Sequence, residues 1–475
     1  MAEQISKDET PKFVSGTIMW HIFVMTATAS IGLVSIFIVD FANLFYISLL
    51  GKQELAAAIG YAGTILFFNI SICIGIMISA IALVSRALGR GDREKARVLS
   101  GSSLIFVLIS TAFFAAIFFP FIEPTLEILG ARGETKNIAT GFLQIVVPSM
   151  PFLGLGMCAA GLLRAVGDAK RAMYGTLGGG VVAALLDPLF IFTFDLGVYG
   201  AAYVTVISRL AIVAIGFYGI FRVHNMVDWP SASVFFADAK ALLDIAVPAV
   251  LTNVATPVGN AYVTGSIAPY GDEAVAGWAI IGRLIPVAFG FVFALSGAIG
   301  PIVGQNFGAG RFDRVERTIT DSLLLTAVYT GVVWLIVFVL RDPIITGFNA
   351  SGDAAALVAF FINFLTGLFV FNAALFVANA AFNNLGYATY STVLNWGKAT
   401  IGTVPFVWAG AVLWDAKGVL LGQAIGSIVF GVIAVIICLR VVRTVSDLGP
   451  GAPTSPPLWR SALSAFSSGK GANLS

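Results

Sequence analysis

Two carboxylates stand where an apolar chain has little use for them. Asp40 lies in IFIVDFANLFYISLLG (residues 36–51) and Asp187 in AALLDPLFIF (residues 183–192). An acid turned toward lipid costs roughly 3 kcal/mol or more, so each should face a bundle interior or a water-filled cavity. Pro188 follows the second acid. It has no backbone donor and frees the carbonyl of Ala184, so a bend beside Asp187 is expected. An acid at such a bend can hold a proton or a cation, and it can equally belong to a purely structural kink. Three cations also lie within or near apolar runs: Arg209, Arg283 and Lys398. Snorkelling or pairing with a backbone carbonyl would account for all three. Lys398, in VLNWGKATIG, could instead meet an anionic or zwitterionic part of a ligand.

The elements that must carry these groups follow from composition. The chain has 475 residues, 58% hydrophobic and only 11% charged, against about a quarter charged in soluble domains. Runs of about 20 apolar residues, enough to cross a bilayer as helix, recur along the whole length. They are too long and too evenly apolar for barrel strands. The expected fold is an all-α membrane protein with twelve transmembrane helices, centred near residues 33, 70, 110, 148, 182, 210, 255, 290, 330, 368, 402 and 430. The opening MAEQISKDETPKF lacks a basic, cleavable leader pattern, so the first helix is expected to be retained. Cys73, Cys158 and Cys438 are far apart in apolar runs and read as packing residues. No Walker loop, Ser/His/Asp set or metal motif occurs. The expectation is a protein that is not an enzyme, takes no cofactor, holds no firmly assigned metal and binds no nucleic acid.

Basic residues orient the spans. Arg86, Arg90, Arg93, Lys95 and Arg97 follow the second span, Arg164, Lys170 and Arg171 the fourth, and Arg311, Arg314 and Arg317 the eighth. The opposite side keeps only Lys52, Arg132, Lys136, Arg341 and Lys417. By the positive-inside rule both termini are cytoplasmic, in a multi-pass protein of the cell (inner) membrane. Residues 222–240 read as a cytoplasmic connector, and 445–475, rich in Gly, Pro and Ser, as a flexible tail.

The halves repeat. LLGKQELAAAIGYAGTI (49–65) answers PYGDEAVAGWAIIGRLI (269–285), and IALVSRALGRGDREKAR (81–97) answers GPIVGQNFGAGRFDRVE (300–316). Two tandem six-helix units keep the same orientation, which implies an N-lobe (1–221) and a C-lobe (241–444) about a pseudo-twofold along the membrane normal. Aligned on Gly51 and Gly271, Asp40 falls opposite Asn260 and Asp187 near Phe406, so the second copy drops both acids.

VSRALGRGDREKAR, the Arg164-x-x-Gly167-Asp168 segment, the L-D-P around Asp187 and GAAYVT (200–205) resemble the multidrug and toxic compound extrusion (MATE) family along the chain up to the tail. The resemblance implies that Asp40, Asp187 and Thr205 lie together in the N-lobe cavity. Two carboxyls in a poorly hydrated pocket cannot both ionise cheaply, so a proton or Na⁺ would compete there with cargo. Many relatives carry an asparagine where this chain has Ala183. Losing that oxygen favours H⁺ over Na⁺. The first span also lacks an internal proline, so a proline-dependent bend is unavailable.

The expected activity is antiport of small organic cations or amphipathic drugs across the bilayer, by a monomer. A flippase for lipid-linked saccharides, an exporter of an anionic or zwitterionic metabolite, and an uncoupled channel or scaffold remain as alternatives. Asn43, Asn260, Asn372, Asn379 and Lys398 complete the candidate cavity residues. The asparagines, with Asn372 and Asn379 seven apart on one helix face, could equally hold helices together.

Overall fold

The computed structural model describes residues 11–48 and 53–448. The side chains of residues 40, 41, 44, 45, 48, 53, 56 and 448 lie outside the described set. Among the described residues there is no strand. The first half contains α1 (Ile18–Ser48), α2 (Gln53–Gly89), α3 (Arg93–Phe118), α4 (Ile122–Ile128), α5 (Gly133–Val146), α6 (Met150–Ala165), α7 (Ala169–Pro188) and α8 (Gly197–Phe217). The second contains α9 (Ala232–Ile267), α10 (Asp272–Gly308), α11 (Phe312–Val339), α12 (Arg341–Gly347), α13 (Gly352–Phe360), α14 (Phe369–Leu385), α15 (Ala388–Ala399) and α16 (Val404–Leu448).

Ten helical segments among the described residues are long and apolar enough to cross a membrane. Large apolar side chains on their outer faces are bare, among them Phe113, Val339 and Leu413. That surface would be an association liability in water and suits lipid. Within the bundle, α1 packs on α7 and α10, and α2 on α6, α9 and α10. Lipid tails are as apolar as leucine, so helix association relies on close packing, and small residues permit it. Around Trp414 and Asp415 (φ 52°) α16 turns back on itself. Gly410 meets Gly418, Phe406 meets Gly422 and Gly402 meets Gly426, each with no room for a further side chain, so the two arms run antiparallel.

Several boundaries differ from the sequence expectation. The connector is shorter: a π-turn ends at Val223 and α9 begins at Ala232, so residues 232–240 are helical. Helix α16 continues to Leu448, which carries residues 445–448 out of the expected tail, and the remainder of 445–475 lies outside the described residues. The helix expected around residue 402 is interrupted between Ala399 and Val404. Helix α1 runs without an internal proline.

Candidate functional site

The register of three helices brings the polar groups of the first half to one level. Helices α1 and α7 run in the same direction. Val39 packs against Gly180, where an added Cβ would lie 3.3 Å from its side chain, and the rings of Tyr46 and Phe192 are 6.2 Å apart. Asn43 and Asp187 fall between those two contacts. Helix α8 runs the other way: Ile212 packs on Gly179, while Gly200 abuts the backbone of Phe190 too closely for any side chain. That antiparallel register puts Thr205 near the level of Asp187.

Pro188 closes α7 and the chain widens into a π-turn at Leu189–Thr193, so the expected bend beside the acid takes this form. Asp187 is 2% exposed. Its Oδ1 and the Oδ1 of Asn43 are both buried with no hydrogen-bond partner. Two inaccessible oxygens without partners are costly, about 1–3 kcal/mol each and more for a charge, so the arrangement favours a proton or a cation. Thr205 gives its hydroxyl hydrogen to Ala201 O (2.9 Å) in its own helix, which leaves the oxygen free to accept. Asp40 belongs to α1, but its side chain lies outside the described residues. The meeting of Asp40 with Asp187 that the family resemblance implies therefore remains an expectation.

Arg209 is buried and carbonyl-paired. It donates to Val146 O (3.0 Å) and Ser149 Oγ (2.7 Å), at the 3-10 turn Val147–Ser149 that Pro148 imposes between α5 and α6. Arg283 is exposed.

In the second half Lys398 Nζ donates to Asn372 Oδ1, and Thr403 Oγ1 bonds the Lys398 carbonyl across the helix interruption (2.7 Å). Asn260 Oδ1 accepts from Gln423 Nε2 (3.2 Å). Asn379 Oδ1 accepts from Asn395 Nδ2 (3.0 Å), with Ser391 and Asn383 beside it. Asn379 thus joins α14 to α15 in a buried network, which fits the helix-holding alternative. Asn372 shares its helix face but has Lys398 as its partner.

The contacts that hold the halves together at one end were not legible in the sequence. Arg86 was expected in a basic loop. It is inside α2, 7% exposed, and its guanidinium caps the end of α14 through Asn384 O (2.8 Å) and Asn383 O (3.0 Å). Gln305, 1% exposed, donates to Ala165 O (2.7 Å) and accepts from Phe13 N (2.9 Å). Asn306 and Arg314 hold Phe13 O from the other side (3.1 and 2.8 Å). Residues 11–17 are thereby strapped across the seam, with Lys12 Nζ reaching Gly167 O at 2.6 Å. Helix α9 is tied to α3 through Asp238, which accepts from Lys95 (2.7 Å) and Ser102 (2.6 Å). The sequence signal was a pair of amides, Gln305 and Asn306, closing the uncharged stretch of α10 that follows Arg283.

Asp168, of the Arg164-x-x-Gly167-Asp168 segment, caps α7 and accepts from Arg171 N (3.1 Å), the Arg171 guanidinium and His224 Nε2 (2.8 Å). Burial pushes its carboxyl up, but the bonds from His224 and Arg171 outweigh it and hold the pKa below the ordinary value of 3.8.

The family model described as MatE matches residues 24–189 and, a second time, residues 248–409. The chain belongs to the MatE family. It is similar to a FAD transporter of Shewanella oneidensis, 27% identical over 428 residues, covering 88% of this chain and 94% of that protein. It is also similar to the multidrug export protein MepA of Staphylococcus haemolyticus, 26% identical over 400 residues and covering 83% and 87% of the two chains. Among solved structures, the Vibrio cholerae MATE transporter VcmN in its bent form aligns with TM-score 0.86 at 23% identity over 91% of this chain and 98% of that one. A Pyrococcus furiosus MOP superfamily transporter, described by the reverse polarity of its binding pocket, aligns with TM-score 0.85 at 21% identity over 93% and 99%. At those identities the likeness shows the fold. This MatE protein is a multi-pass membrane transporter.

Proposed function

We propose that this MatE transporter is a secondary active antiporter that exports small organic cations or amphipathic compounds, coupled to H⁺ ahead of Na⁺. The observation that carries the reading is the buried Asp187 with an unpaired oxygen, level with Asn43 and beside the π-turn. In this reading Asp40, Asp187 and Thr205 form the coupling site, and a proton displaces cargo from it. Ala183 supplies no side-chain oxygen there, which disfavours a hard cation that wants several. The similarity to MepA supports export of drug-like cargo.

Twelve crossings follow when Ala232–Ile267 is counted with the ten apolar segments and α16 is taken as two arms. Grouped as two six-helix lobes, they would alternate access, with both termini cytoplasmic in a monomer of the inner membrane. The similarity to a FAD transporter favours a second reading, export of an anionic metabolite.

The test is efflux of a fluorescent organic cation from proteoliposomes under an imposed pH gradient and then an imposed Na⁺ gradient. Wild type, Asp187→Asn and Asp40→Asn are compared. Efflux driven by the pH gradient and lost in both variants is the expected result. Wild-type efflux in a well-folded Asp187→Asn protein would refute the coupling site.

A further inference from the structure

The second half holds a cation where the first holds acids. Residues 245–271, 274–312, 354–414 and 416–446 contain no Asp or Glu, yet Lys398 lies in the middle of that territory. Its ammonium has three hydrogens to place and meets one amide oxygen, that of Asn372. Among the described residues no carboxylate is within ion-pair distance of it.

Amides on the helices packed around α15 have their oxygens engaged. The Asn372 oxygen is taken by Lys398 and the Asn260 oxygen by Gln423, which leaves the NH₂ groups of Asn372 and Asn260 free to donate. Asn260 follows Gly259, whose Cβ position is 3.4 Å from Ala399, the residue after Lys398. The interruption at residues 400–403 also ends α15 just past Lys398. A positive charge beside the free NH₂ of Asn372, with the oxygen of that amide already turned to the ammonium, suits an anion. An ammonium within a membrane helix bundle needs such a partner or marks a ligand path.

We propose that Lys398, with Asn372 beside it and Asn260 on the facing helix α9, binds the phosphate or carboxylate group of a cargo, so that this transporter accepts anionic or zwitterionic amphiphiles. This rests on the reading of the chain as an exporter with cargo between its halves. The first half would take the cationic part or the coupling proton, and the second half the anion.

Riboflavin and flavin mononucleotide share one fluorophore and differ by a phosphate, so their binding to the purified full chain in nanodiscs can be followed by fluorescence anisotropy. Wild type should bind the mononucleotide at least about tenfold more tightly than riboflavin, the scale of one charge-assisted contact. Lys398→Ala should collapse the gap to under about twofold with riboflavin affinity unchanged, which also reports an intact fold. Lys398→Arg should keep most of it. Equal binding of the two flavins by wild type, a gap that survives in Lys398→Ala, or no binding of the mononucleotide up to about 1 mM would each overturn the proposal. The flavin gap reads Lys398 and pH-driven efflux of a cationic dye reads Asp187, so the two readings fail separately.

Discussion

Gln305→Ala should open the end of the molecule that Gln305 now bridges. Its amide donates to Ala165 O and accepts from Phe13 N across the seam between the halves. Each lost bond costs about 1 kcal/mol net, and leaving a buried backbone group unpaired adds about 1–3 kcal/mol. A conservative total is about 3 kcal/mol, which shifts a two-state equilibrium about 100-fold if the open state lacks both bonds. The three native cysteines are buried and free, so they can be replaced. Spin labels can then go on the exposed positions Arg90 and Arg311, in the turns on either side of the seam. Double electron–electron resonance should show one short distance in the parent and a second, longer population in Gln305→Ala. A single unchanged distribution would refute the assignment of Gln305 as a bridge whose loss frees the halves.

Two other outcomes follow from buried polar contacts. Asp168→Asn should lower the melting temperature at pH 7. Because the folded-state pKa of Asp168 is depressed, its contribution is present above the unfolded value near 3.8 and fades as pH falls through the lower folded value. The gap between the two melting temperatures should narrow below about pH 3.8, and a constant difference down to pH 3 would refute the linkage. Asp238→Ala should cost roughly 1–3 kcal/mol, discounted because Lys95 is partly exposed while Ser102 is not. Asp238→Asn, which can still accept from Ser102, should fall between wild type and Ala in thermal melts.

How far the chain could be read before folding depends on the distance over which each feature is decided. Helix length against bilayer thickness is local, so the apolar runs announced spanning helices. Acids inside those runs are conspicuous for the same reason, and Asp187 proved buried beside the break that Pro188 predicts. The repeat was visible because glycine and charge recur at matching places, and the MatE model matches both copies. The short connector and the interruption before Val404 were not visible. Both depend on how backbone groups are satisfied locally by π-turns and by Thr403, which composition does not report.

Partners far apart in sequence decided the rest. Arg86 looked like one member of a basic loop until the fold set it against carbonyls almost 300 residues away. Gln305 acquired its role from Phe13 and Ala165 in the other half. Asn372 and Asn379 share a helix face in sequence, yet one serves a lysine and the other a network between helices. The sequence by itself determined that this protein lives in a membrane, as a repeated helical sequence whose second copy lacks counterparts of Asp40 and Asp187, because burial cost and helix length are properties of short segments. Only the tertiary structure decided which polar groups bridge the halves, which lock helices and which remain unpaired, because hydrogen bonds are satisfied by whatever atom the fold brings within about 3 Å.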